Sequence, residues 1–242
     1  MKLAIVGYGK MGRIVEQLAP GAGFTVCACL DSRTNANGAG LTKENLRGAD
    51  VAIEFTQAAA AAGNIERLAA VGVNTVCGTT GWHSELPRVS EQVGRAGTGM
   101  VWGRNFSIGV NLFSRVVAEA ARLFAAYPEY GAWAWEIHHA AKKDAPSGTL
   151  FQLVEGMERA GYTRPVTASA SRAGAHPGTH EIGFDSAADT ITLRHTARNR
   201  EGFARGALLA ARWIAGRRGV FEFRDILFGQ PAAGQPIESR ES

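Results

Sequence analysis

Lys2-Leu3-Ala4-Ile5-Val6-Gly7-Tyr8-Gly9-Lys10-Met11-Gly12 decides how the first half of the chain folds. A short apolar run enters Gly7-x-Gly9-x-x-Gly12. Met11, Ile14, Val15 and Leu18 then recur at helical spacing until Pro20 stops them. G-x-G-x-x-G alone is a weak signal; a strand before it and a helix after it make it a dinucleotide loop. In that reading Gly7 permits the tight turn, Gly9 lets the backbone approach a pyrophosphate, and Gly12 allows close packing of helix on strand. Tyr8, Lys10 and Met11 fill the loop between them. Asp31 lies nineteen residues past Gly12, at the end of the next strand, where a carboxylate can bind ribose hydroxyls. Asp31 favours NADH, while Arg33, two residues on, keeps NADPH open.

Strand and helix patterns alternate outward from this loop. Strands are expected at Phe24–Leu30, Val51–Phe55, Val73–Cys77 and Met100–Trp102, and helices near Ala58–Val71 and Ser84–Arg95, with Thr56 as an N-cap. Regular alternation of this kind predicts a Rossmann-type, doubly wound parallel sheet. The fourth strand runs into Gly78-Thr79-Thr80-Gly81, whose small residues would let a flat ring approach and whose hydroxyls could bond a carboxamide. Taken alone the same four residues also suit a plain turn.

The pattern changes after Phe106. Val110–Tyr127 reads as a long helix with Phe113, Val116, Val117 and Ala120 inward. Trp133–His138, Val166–Arg172, His180–Asp185 and Thr190–His195 read as strands, the last two joined by a turn at Ala187-Ala188-Asp189. Leu150, Leu153, Val154 and Met157 mark one further helix and Glu201–Arg217 the final one. The expected α/β architecture is therefore a dinucleotide domain over 1–105 and 218–230, a C-terminal α+β domain with a mostly open sheet over 106–217, and a flexible tail over 231–242.

Composition narrows the classes. The chain has 242 residues, 45% of them hydrophobic, enough for a sizeable core. No apolar run reaches the ~20 residues of a membrane span. The first residues read as a strand rather than a leader, so a cytoplasmic protein is expected. Cys27, Cys29 and Cys77 show no C-x-x-C spacing and read as buried structural thiols. The net charge of +4 is scattered and not interleaved with aromatics, which suits a small anionic ligand and gives no case for nucleic acid.

The chemistry concentrates in Glu136-Ile137-His138-His139-Ala140-Ala141-Lys142-Lys143-Asp144-Ala145-Pro146-Ser147-Gly148-Thr149, which holds two of the six histidines. Histidine exchanges protons near neutral pH. His138 and His139 end a strand and point to different sides, so one can act on a substrate while the other contacts it. Lys142 is read as the inward lysine and Lys143 as its solvated neighbour, with Asp144 orienting a lysine or the turn. Ser147 suits an N-cap, and Gly148 and Thr149 would offer N–H groups and a hydroxyl to a carboxylate. A metal is set aside because no cysteine or carboxylate stands at ligand spacing around the histidine pair. His176 and His180 are placed outside the site, as loop residues.

Glu136–Thr149 also resembles the signature E-x-H-H-x-x-K-x-D-A-P-S-G-T of the 4-hydroxy-tetrahydrodipicolinate (dihydrodipicolinate) reductases of bacterial lysine biosynthesis. The glycine loop, Gly78-Thr79-Thr80-Gly81, Asn105-Phe106-Ser107-x-Gly109-Val110-Asn111 and His195…Arg200…Gly206-Ala207 follow in family order. The resemblance implies that His138 is the proton donor, that Lys142 is a second donor, and that His139, Gly148 and Thr149 bind a cyclic dicarboxylate. It implies that Gly7–Gly12, Asp31, Gly78, Thr79, Thr80, Gly103, Arg104, Asn105 and Phe106 hold NADH or NADPH, and that the assembly is a homotetramer joined through the second domain's sheet. The chain departs from the family in a glycine loop one residue tighter, in Arg104 and Leu150, and in a short C-terminal domain. The alternatives are another NAD(P)-dependent imine or amino-acid dehydrogenase on the same scaffold, and a non-catalytic dinucleotide sensor.

Overall fold

The computed structural model describes residues 1–229, so the tail expected over 231–242 lies outside the described residues. The elements run β1 (Lys2–Val6), α1 (Lys10–Leu18), β2 (Thr25–Leu30), α2 (Lys43–Leu46), β3 (Val51–Glu54), α3 (Ala58–Ala70), β4 (Asn74–Cys77), α4 (Leu86–Ala96) and β5 (Gly99–Trp102). They continue with α5 (Ile108–Phe124), β6 (Gly131–His138), α6 (Gly148–Arg159), β7 (Val166–Arg172), β8 (Thr179–Asp185), β9 (Thr190–Thr196), α7 (Glu201–Trp213), β10 (Gly219–Glu222) and α8 (Phe223–Phe228). Two compact units result: residues 1–107 with 203–229, and Ile108–Gly202.

In the first unit six strands pair in parallel in the order β10-β5-β4-β3-β1-β2. Leu3 to Val6 are buried without interruption. Consecutive buried residues mean that both faces of β1 are covered, the mark of a central strand in a doubly wound sheet. β2 and β3 lie on opposite sides of β1, so the winding reverses there. The carboxyl end of β1, which carries Gly7, is the point where such sheets bind ligands. Cys77 is buried, whereas Cys27 and Cys29 are half-buried; all three are free thiols.

Several expectations change here. The helix predicted over Glu201–Arg217 ends at Trp213, and most of it belongs to the first unit rather than the second. The N-cap position of α3 is Gln57, which makes no side-chain cap bond, rather than Thr56, whose hydroxyl donates to Glu54. The return of the chain after that helix takes the form of β10, which extends the first sheet beside β5.

The second unit has a four-stranded mixed sheet in the order β7-β6-β8-β9, with β6 and β7 parallel and the other pairs antiparallel. Val117 and Ala121 of α5 and Leu150, Leu153 and Met157 of α6 pack with Ala132, Ala134, Ile182 and Phe184 of the sheet. Val116, expected inward, is exposed. Arg164 closes the C-terminal end of α5: its guanidinium donates to the carbonyls of Phe124 (2.8 Å) and Ala125 (3.2 Å) and lies over the Tyr162 ring. A cation there satisfies carbonyls that no helical N–H can reach.

Phe184 is fully buried, stacked 4.3 Å from the Phe124 ring and edge-on to Tyr162. Phe184→Ala is expected to cost about 3–5 kcal/mol of stability in chemical denaturation. A loss below about 1 kcal/mol would show that the three rings do not organise this core.

Candidate active site

At the carboxyl end of β1, the Gly7 and Tyr8 amides both donate to the Leu30 carbonyl, at 2.8 and 3.0 Å, which draws the ends of β1 and β2 together. Gly7 has φ +95°, and a Cβ there would run into the Phe55 carbonyl. A Cβ on Gly12 would strike the Gly7 carbonyl, whereas one on Gly9 would meet nothing within 4 Å. Gly9 is also the N-cap of α1 and gives it no side-chain cap. Open space over an uncapped helix N-terminus is what a pyrophosphate needs. The Asp31 Oδ1 accepts from the amides of Arg33 and Thr34 (both 2.9 Å) and from the Thr34 hydroxyl (3.0 Å), and these bonds hold its carboxyl below the usual range. None of those bonds uses Oδ2, which suits a ribose hydroxyl. These residues fit a dinucleotide.

The remaining residues expected at the cofactor are placed less uniformly. The Tyr8 hydroxyl donates to Glu16, under the Arg13 guanidinium. Lys10 is exposed and Met11 half-buried. The Thr79 hydroxyl, offered by the sequence to a carboxamide, accepts from the Thr56 amide at 2.7 Å, while Thr80 is exposed. Gly78 lies against the Phe55 ring. Gly103 is buried, Arg104 exposed, and Asn105 accepts from the Ser107 amide at 2.8 Å. The Phe106 ring is 2% exposed and packs against Phe223, so it serves the core of the unit.

Sequence reading missed Glu54. It is fully buried at the end of β3 and accepts from Thr56, from Asn64 at 3.3 Å and from Cys77 at 3.2 Å. Burial, reinforced by the charge of Glu54, pushes the Cys77 thiol up, which keeps it a donor. Asn35 donates to Asn64 at 3.2 Å, so the network runs from the loop after β2 to the loop after β4.

In the second unit β6 delivers Glu136 and His138 two residues apart. Glu136 is fully buried. Its Oε1 accepts from the Ser147 amide and from Arg172 Nη2, both at 2.8 Å, and its Oε2 accepts from the Ser147 hydroxyl. His180 Nε2 lies 3.2 Å from the same Oε2. His138 Nδ1 stands 3.6 Å from Oε2, short of a hydrogen bond, and is buried without a partner among the described residues. His139 follows the strand, half-buried, and its carbonyl accepts from the Lys142 amide. Lys142 is 24% exposed and pairs with Asp144 at 2.6 Å, whereas Lys143 is exposed. Ser147 caps α6 by accepting from the Leu150 amide at 3.2 Å, so Gly148 and Thr149 occupy the first turn.

The charges follow from these contacts. Burial opposes ionisation of Glu136, but the Ser147 hydroxyl, Arg172 and the Ser147 amide outweigh it and hold the carboxyl below the usual range. Burial pushes the His138 imidazole below its ordinary value; Glu136 resists this shift, and Lys142 and Arg172 add to it. Burial takes His180 down to about 4 against the pull of Glu136, which leaves it neutral at physiological pH.

His180 stands in β8, within the strand expected over His180–Asp185 and not in a loop, and it corrects the sequence reading by joining the site, because antiparallel register sets it opposite Glu136. Glu136 corrects the premise on metals. Glu136, His138 and His180 each bring a donor atom within 4.8 Å of the others. The carboxylate already accepts three donors, one of them a guanidinium, so the trio reads as part of a hydrogen-bonded network. Arg172 was missed as well; parallel register sets it beside His138.

Profiles of the dihydrodipicolinate reductase N-terminus and C-terminus match residues 1–106 and 109–227. The 4-hydroxy-tetrahydrodipicolinate reductase of Christiangramia forsetii is 30% identical over 238 residues, which cover 94% of this chain and 98% of the relative. That of Archaeoglobus fulgidus is 33% identical over 267 residues, which cover 94% of this chain and all of the relative, 100%. Among solved structures, a dipicolinate-bound dihydrodipicolinate reductase from Paenisporosarcina sp. TG-14 shares the fold. Its TM-score is 0.76 at 19% identity, covering 93% of this chain and 99% of that one.

Gly178 has φ +133°, and a Cβ on it would lie 2.9 Å from His138 Nε2. Gly178→Ala is expected to displace the imidazole and to lower turnover at least ~10-fold while the protein keeps its far-ultraviolet spectrum. Unchanged turnover would show that the ring's present position does not matter.

Proposed function

The chain belongs to the family of 4-hydroxy-tetrahydrodipicolinate reductases, and from that membership we infer that it reduces 4-hydroxy-tetrahydrodipicolinate to tetrahydrodipicolinate with NADH or NADPH, in the diaminopimelate route to lysine. The observation that carries the reading is the single end of β6 at which His138, Lys142 and the start of α6 come together. An imidazole, an ammonium and a helix N-terminus suit a dicarboxylate whose imine nitrogen gains negative charge during reduction.

The nicotinamide of the cofactor supplies the hydride. Gly7, Tyr8, Gly9, Lys10, Met11, Gly12 and Asp31 would hold the dinucleotide, with Gly78, Thr79, Thr80, Gly103, Arg104, Asn105 and Phe106 shaping the rest of its site. Gly148 and Thr149, at the positive end of α6, hold a carboxylate and so fix the ring. His139 contacts the substrate. Lys142 stabilises the charge that develops toward nitrogen, and His138 delivers the proton. His138 is held toward its neutral form in the free protein, by burial first and with Lys142 and Arg172 adding to it. A bound dianion reverses that balance, because nearby negative charge favours the imidazolium. Substrate binding thus loads the acid.

A homotetramer is the proposed assembly. The face of the second sheet exposing Thr167, Ser169, Thr192 and Arg194 is the surface offered for it, and light scattering of the purified protein tests it. No helix among the described residues is long and apolar enough to cross a membrane. A cytoplasmic site of action is proposed with the pathway.

The direct test is a coupled assay in which pyruvate and aspartate semialdehyde are condensed by the preceding enzyme and the oxidation of NADH and of NADPH is followed separately. Turnover with at least one cofactor is expected, and none with either rejects the reading. His138→Gln should lower kcat by about 10²–10⁴-fold with NADH affinity retained. Equal losses of turnover and NADH affinity would remove His138 from the role of acid. Lys142→Ala should raise KM and lower kcat together; unchanged kinetics would move the role away from this lysine. Because the acid form of His138 is the active one and its free-state pKa is lowered, kcat/KM should fall as pH rises from a point below ~6.5. The fall in kcat, set by the substrate complex, should come at higher pH.

A further inference from the structure

Glu136 touches both functional parts of the second unit without facing a substrate position. Its carboxylate accepts from the amide and hydroxyl of Ser147, the residue that caps α6 and leads into Gly148-Thr149. The same carboxylate stands 3.6 Å from His138 Nδ1, a buried nitrogen with no other partner among the described residues. Arg172 binds it from β7 at 2.8 Å and donates also to the Asp144 carbonyl, in the loop whose side chain holds Lys142. His180 approaches from β8 at 3.2 Å, with its ring edge-on to His138, 5.1 Å away. Three donors, two from Ser147 and one from Arg172, thus meet at one anion, with the imidazoles of His180 and His138 beside it.

We propose that Glu136 is the positioning residue of this enzyme: a single buried carboxylate that orients His138 through Nδ1 and fixes the start of α6 where the substrate carboxylate binds, with Arg172 setting how much of its charge reaches the imidazole. The 3.6 Å gap is central to this assignment. It is too long for a hydrogen bond and short enough to close when Nδ1 carries a proton that needs an acceptor. Glu136 therefore favours the imidazolium that donates from its other nitrogen, Nε2, which lies on the Gly178 side of the ring. The charged and titratable groups facing His138 are Glu136 on its own strand, Lys142 and Asp144 in the following loop, Arg172 on β7 and His180 on β8, the last faced in turn by His195 of β9. Lys142 and Arg172 oppose the imidazolium, and His180 is neutral, so Glu136 is the nearest group that supports it.

The proposal rests on His138 as the proton donor, and the test separates the two. His138→Gln with wild-type turnover would overturn the donor reading itself. Where His138→Gln abolishes turnover, Glu136→Gln and Arg172→Gln decide the present proposal. Glu136→Gln keeps the shape and removes the charge. The pH at which kcat/KM falls should then move down by about one unit or more, since an opposite charge this close shifts a pKa by 1–3 units. KM should rise about 10-fold or more as the α6 cap loosens, and NADH affinity should stay within about twofold. Arg172→Gln leaves the carboxylate and both Ser147 bonds in place and should move the same pH limb upward. Opposite displacements by the two variants support the proposal, and a purely structural carboxylate would not produce them. Shifts in the same direction, or no shift in either, overturn it. If Glu136→Gln does not fold, Arg172→Gln alone carries the sign; if neither folds, Glu136 is a structural ion-pair residue and the proposal fails.

Discussion

A carboxylate removed from water must be surrounded by donors or it destabilises the fold by several kcal/mol. Glu136 meets that requirement, and much of the second unit is arranged so that it can. The sheet order places β7 and β8 on either side of β6. Parallel register then sets Arg172 beside His138, and antiparallel register sets His180 opposite Glu136. The loop after β6 must turn back far enough for Ser147 to reach the same oxygens, and that fixes where α6 begins. The position of the helix N-terminus, and with it any carboxylate site on Gly148 and Thr149, follows from one anion.

The first unit repeats this solution. Glu54 ends β3 as Glu136 lies near the end of β6, both fully buried, both gathering donors from neighbouring strands and the next helix. In each case a side chain that could touch a ligand is held at one remove: Thr79 through Thr56, His138 across a gap to Glu136. Loops at strand ends are the mobile parts of α/β folds and carry their chemistry. A buried carboxylate at the root of such a loop is an economical anchor, because each donor it takes up comes from a different segment and ties that segment in place.

Local patterns were legible in the sequence, and long-range ones were not. The apolar run into Gly7-x-Gly9-x-x-Gly12, the strand Val166–Arg172 and the N-cap Ser147 all express themselves within a few residues, and each stands where its pattern put it. His180 had no such expression. It reads as an isolated histidine until antiparallel pairing brings it opposite Glu136, 44 positions earlier in the chain. Arg172 and Glu54 were silent for the same reason, since a charged residue at a strand end looks solvated until the neighbouring strands are placed. Thr56 misled in the opposite sense. It has the chemistry of a cap, but a buried carboxylate two residues away competes for its hydroxyl and wins, because an uncapped helix start can be hydrated and a buried anion cannot.

This balance bears on why the site should favour a dicarboxylate. In the free protein burial takes the His138 ring toward its neutral form, Lys142 and Arg172 add to that, and the buried Glu136 and the exposed Asp144 resist it. A neutral imine entering such a site would meet an imidazole held toward its neutral form. With His138 as the proposed donor, a dianion would bring negative charge with it, so the charge by which the substrate is bound would also favour the imidazolium that acts on it. On that proposal selectivity for charge would lie in the proton transfer as well as in binding. This is differential stabilisation: the interaction is worth most when the proton is moving.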